Sequence, residues 1–94
     1  MALKVLVTYK IKPGHRAAFL TDTAAIRPQI LAEDGCQQYD YFASAEDENK
    51  ALLVEQWTCR EAQQIHLTQP HMAKLRAAKG ELVLDTLVEV YDLP

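Results

Sequence analysis

Three observations predict an α+β fold, a ferredoxin-like split βαβ with a four-stranded antiparallel sheet. Apolar residues recur with a period of two in four segments and at helical spacing in the two stretches between them, so the order reads β-α-β-β-α-β. The 94 residues leave room for a single domain, 1–94, with a modest core. The first, third and last strands carry apolar side chains on both faces, yet two helices can cover only one face of a sheet. A second copy of the same sheet is the simplest cover. We therefore expect a homodimer whose two sheets pack face to face as a barrel-like core. A charge at Leu53, or on whichever face lacks helices, should then separate the copies.

The first strand is residues 2–12, stopped by the turn signal Pro13-Gly14. Leu3, Val5, Val7 and Tyr9 share a face, with Leu6 among Lys4, Thr8 and Lys10 on the other. Residues 15–33 change to helical spacing through Ala18, Leu20, Ala24 and Leu31, and through Phe19, Ile26 and Ile30. Pro28 should break or kink that helix and open a short second one, closed by Gly35. Residues 36–45 and 50–57 alternate on either side of the polar turn Glu46-Asp47-Glu48-Asn49, which makes an antiparallel hairpin. Thr58-Cys59-Arg60-Glu61 fits a capping box, so a helix should start there and carry Ala62, Ile65 and His66 on one stripe. Pro70 ends that helix or begins the next. Met72, Leu75 and Lys79 continue at helical spacing to Gly80, a natural closing residue, and 81–91 form the last strand.

Composition narrows the function by exclusion. A chain 49% hydrophobic with a net charge of −3 is not disordered, and its Lys and Arg are scattered, so nothing marks a nucleic-acid partner. Apolar runs are too short to cross a bilayer and the start lacks a signal-peptide core, from which we expect a cytoplasmic protein with no membrane partner. Cys36 and Cys59 then default to reduced, inert thiols. The three glycines are isolated, which excludes a phosphate-cradling loop and with it a Rossmann or P-loop cofactor site.

Among the histidines His15 is read as solvated and His66 as the informative one, because its stripe must look toward the sheet. An imidazole there either donates to a buried carbonyl or lines a pocket and moves protons. His71, just past Pro70, could help cap a helix. The five-residue spacing of the two rings, with a proline between, does not suit a metal pair, and we expect no metal. Glu55 interrupts the apolar face shared by Leu53 and Trp57. A carboxylate so placed is either buried with a raised pKa, bonded to His66 or Arg60, or sits at the strand's end on a surface cation. Trp57, Tyr9, Tyr41 and Phe42 either line a flat cavity suited to a planar ring or serve as core and dimer contacts.

The run Val54-Glu55-Gln56-Trp57, then Glu61-Ala62, then His66-Leu67-Thr68-Gln69-Pro70-His71-Met72 and Lys79-Gly80, resembles the antibiotic biosynthesis monooxygenase family, most closely its quinol monooxygenase branch. The likeness extends to the opening strand ending in Lys12-Pro13-Gly14 and to Glu33-Asp34-Gly35-Cys36 before Tyr39. It implies a small dimeric α+β barrel and a cofactor-independent oxygenase acting on a reduced aromatic such as a hydroquinone. His66 would be the base, Glu55 would orient or charge it, and Trp57 and Tyr41, with Tyr9 and His71, would bind substrate. Relatives also include isomerases of a phosphorylated signal compound that keep the paired histidines, and haem-degrading members. The haem-degrading positions correspond here to Val7, His66 and about Arg76, which disfavours that chemistry. A non-oxidative isomerase of a small carbonyl or sugar-derived compound, and a dimeric binding module without turnover, stand as alternatives.

Overall fold

The computed structural model describes residues Met1–Pro94. The strands are β1 (Leu3–Ile11), β2 (Cys36–Ala43), β3 (Lys50–Trp57) and β4 (Val83–Asp92); the helices are α1 (Arg16–Leu31), α2 (Arg60–His66) and α3 (Met72–Leu82). All strand pairs are antiparallel in the order β2-β3-β1-β4, so the expected α+β, ferredoxin-like sheet is present. No helix is long and apolar enough to cross a membrane.

Register decides which side chains share a face. Val5 pairs with Glu55 and Val90, and Val7 with Leu53 and Val88, so these belong to one face along with Tyr39 and Tyr41 of β2. The helices cover that face over β1, β2 and β3, while Val88 and Val90 of the edge strand β4 stay exposed. Phe19, Ile26 and Ile30 of α1 and Met72, Leu75, Ala78 and Leu82 of α3 complete a core with Leu3, Tyr9, Ile11, Ala51 and Trp57. Leu53 lies in this core, so a charge there would damage packing inside one chain and would not test how two chains meet. The opposite face, with Leu6, Leu52 and Val54 half-buried and Phe42, Leu87 and Tyr91 exposed, has no layer on it.

Five local expectations are corrected. Helix α1 runs unbroken through Pro28. The proline is exposed and lies in the last turn, where only the bond to the exposed Ala24 carbonyl is forgone and water can replace it. The buried stripe of α1 also includes Thr23, whose hydroxyl donates back to the Leu20 carbonyl at 3.0 Å, while Ala18, Ala24 and Leu31 face out. No capping box forms: Cys59 precedes α2 in extended backbone, and no side chain caps the helix. Thr58 instead donates its backbone N–H to Gly35 O at 2.9 Å and holds the turn before β2. Helix α3 continues through Gly80, because burial of Leu82 favours another turn before the chain extends at Val83. Within α2 only His66 is buried; Ile65 points outward.

Candidate active site

Glu55 and Trp57 are two residues apart on β3 and so point the same way, under the helices. The indole N–H donates to Glu55 Oε1 at 3.0 Å. His66, the last residue of α2, brings its ring to 4.7 Å from the Trp57 ring and 5.7 Å from Tyr39, centroid to centroid, and is 2% exposed. Its Nε2 faces Glu55 Oε1 at 4.0 Å, beyond hydrogen-bond reach. Its Nδ1 meets both carboxylate oxygens of Glu33, at 3.0 and 3.1 Å. A carboxylate only accepts, so Nδ1 carries a proton, and Nε2 is the nitrogen that faces Glu55 without a hydrogen bond.

The same Glu33 takes a second ring. His71 Nε2 lies 2.8 Å from Glu33 Oε2, with the His71 side chain 14% and that of Glu33 10% exposed. His71 therefore makes no side-chain cap on α3, and it sits on the Nδ1 side of His66, away from Glu55. Arg60, the other expected partner of Glu55, pairs with Asp92 at 3.0 Å instead. The two imidazoles turn to one carboxylate, and no group of three or more His, Cys, Asp or Glu is arranged to hold a metal ion.

Beside Glu55 lies an aromatic wall. Tyr9 and Tyr41 stack at 6.4 Å, Tyr39 meets Tyr41 edge-on at 5.8 Å, and Phe19 closes against both Tyr9 and Tyr41. The Tyr41 hydroxyl is buried with no hydrogen-bond partner. Lys79 of α3 sets its ammonium 5.4 Å from the centre of the Tyr9 ring. Burial pushes the Tyr41 phenol up to about 12, and raises Tyr9 and Tyr39 further; the charge of Glu55 adds to each. Burial also raises the Glu55 carboxyl against the opposing Trp57 bond and the charges of His66 and Lys79, and it lowers Lys79.

Sequence reasoning thus named His66, Glu55, Trp57, Tyr41 and Tyr9, and the fold brings them together. It missed Glu33, Tyr39 and Lys79. Glu33 stands in a polar turn 33 positions from His66, where a lone acid reads as solvated; no local spacing announces the contact. The His66 ring is 2% exposed and packs against Trp57 and Tyr39, so no open hollow surrounds it in the single chain. An open groove of about 530 Å³ lies on the other side of Glu33, lined also by Asp34, Gly35, Thr58, Cys59 and Ile65.

Residues 2–78 match the family described as Antibiotic biosynthesis monooxygenase. The chain belongs to that family. It is 34% identical over 92 residues to the probable quinol monooxygenase YgiN of Escherichia coli, covering 86% of this chain and 88% of that protein. Rv0793 of Mycobacterium tuberculosis is 34% identical over 79 residues, 84% of this chain and 77% of that one. Its solved structure superposes with a TM-score of 0.89 over 100% of this chain and 96% of that chain. The fold alone is shared with a Caulobacter crescentus protein at a TM-score of 0.92 and 21% identity, over 99% and 90% of the chains. Membership in this family supports a general monooxygenase role.

Proposed function

We propose that the protein is a cofactor-independent monooxygenase of a small reduced aromatic, hydroquinone-like in kind. One observation carries this reading: a buried imidazole whose Nδ1–H is pinned by a carboxylate, leaving Nε2 free beside Glu55 and against Trp57. Such a nitrogen is a base held in one tautomer. His66 Nε2 takes a phenolic proton. The anion, electron-rich and shielded by Trp57, Tyr9 and Tyr41, gives its electrons to O₂. One oxygen atom ends on the ring and the other leaves as water, so quinol plus O₂ becomes hydroxyquinone plus water and the substrate is its own reductant. The unpartnered Tyr41 hydroxyl offers a hydrogen bond to a substrate oxygen. Entry requires the Lys79 side chain, a long flexible cover over Tyr9, to swing outward.

The functional unit we propose is a homodimer. Leu6, Leu52, Val54 and Phe42 form an apolar patch on the helix-free face, bordered by Lys4, Thr8, Gln38, Asp40, Gln56 and Glu89, and Leu87 beside them is 58% exposed. Such a patch is the surface a second copy would cover. The sequence features that favour a cytoplasmic location are in keeping with chemistry on a small metabolite.

Oxygen uptake with benzene-1,4-diol and 1,4-dihydroxynaphthalene tests the reaction. Uptake above the protein-free rate, with one added oxygen in the product, supports it. Uptake no faster than without protein sinks it. Conversion of a carbonyl compound without mass change would instead mark an isomerase, and thermal stabilisation without product a binding module.

A further inference from the structure

We propose that Glu33 and His71 form a two-way proton relay between the buried His66 and solvent. The proposal deepens the reading of His66 as the base, and it rests on one juxtaposition: a single carboxylate held by His66 Nδ1 at 3.0 Å and by His71 Nε2 at 2.8 Å. His66 is sealed, so a proton taken at Nε2 has no water to go to. His71 reaches the surface, and Glu33 lines the open groove. The charged and titratable groups nearby are Glu55 from β3, Cys36 and Tyr39 from β2, and Asp34, Cys59 and Glu61 on the groove, and none of them bonds to Glu33.

Protons balance in both directions. At the start His66 holds Nδ1–H, Glu33 is ionised and His71 is protonated on both nitrogens. When substrate delivers a proton to His66 Nε2, the Nδ1 proton passes to Glu33 and His71 releases its Nδ1 proton to water. One proton has entered and one has left. When His66 returns its Nε2 proton to reduced oxygen, Glu33 gives the proton back to Nδ1 and His71 takes one from solvent. The starting arrangement is restored after each turnover.

Glu33 and His71 are thus positioning and relay residues that never touch substrate, and the test uses a readout independent of turnover. Solvent exchange of the His66 Nδ1 proton is followed by NMR in the substrate-free protein. H71A and H71N should slow it by about tenfold or more, and imidazole in the buffer should restore it in H71A. E33Q still accepts the Nδ1–H bond but cannot carry a proton, so it should slow exchange and not respond to imidazole. Using two variants at position 71 guards against one misfolding, and an unchanged amide spectrum certifies each. Equal exchange in wild type and both His71 variants overturns the relay, as does normal exchange in E33Q. Neither outcome bears on whether quinols are oxidised, so the two ideas fail separately. Where turnover is found, E33Q should reduce kcat by about 100-fold with KM little changed.

Discussion

The indole of Trp57 donates its only N–H to Glu55 across 3.0 Å, and this bond holds a carboxylate inside the apolar face of β3. It offsets part of the cost of burial, but the Glu55 carboxyl still stays above its ordinary value of 4.5. In the unfolded chain the carboxyl ionises at that ordinary value. The contribution of Glu55 to stability is therefore complete below about pH 4.5 and is lost as pH rises through the folded-state value. Glu55→Gln removes this dependence. Thermal melts of the variant and the parent should diverge in favour of the variant from pH 4 to pH 8. A constant difference would show that Glu55 ionises as easily folded as unfolded.

His66→Ala should leave the chain folded, since Glu33 keeps His71, while oxygen uptake falls by about 10²–10⁴-fold. Full turnover in this variant would place the base elsewhere.

Tyr41→Phe removes a buried hydroxyl that has no partner in the protein. Stability should hold or rise by about 1 kcal/mol. If the hydroxyl meets substrate, KM should rise in the same variant, and calorimetric melts beside steady-state kinetics would separate the two effects.

Gly35 and Gly14 both have positive φ, +84° and +80°, but differ in surroundings. A Cβ on Gly35 would lie 2.6 Å from Ala62 Cβ and 2.7 Å from Thr58 Oγ1, whereas one on Gly14 meets nothing within 4 Å. Gly14→Ala should cost about 1–2 kcal/mol for backbone conformation alone. Gly35→Ala adds overpacking and should cost on the order of 3 kcal/mol, visible as a drop in Tm of more than about 10 °C. Similar melting points for the two variants would contradict the close approach of β2's turn to α2.

Leu52→Asp puts a charge on the helix-free face without touching the core. Sedimentation should show a monomer where the parent sediments as a dimer. An unchanged dimer mass would remove the case for sheet-to-sheet assembly.

Much of the site was legible because its members announce themselves locally. A carboxylate at a period-two position among Leu53 and Trp57 is anomalous on any register, and His66 follows Ala62 by one helical turn. Pro28 and Thr58 misled for the opposite reason. Each carries a strong local preference, and each was overruled by surroundings: water at the exposed end of α1, and the Gly35 carbonyl waiting for the Thr58 N–H.

The sequence by itself determined the order of elements, which side chains of a strand share a face and the family, because periodicity and short motifs are properties of neighbours along the chain; which face the helices cover, and so that Leu53 is core, needed the fold. Only the tertiary structure decided that Glu33 joins His66 to His71, that Tyr39 and Lys79 border Glu55, and that the ring of His66 is sealed. These are contacts between segments 33 to 38 positions apart or on different layers, and no local preference encodes where two such segments cross.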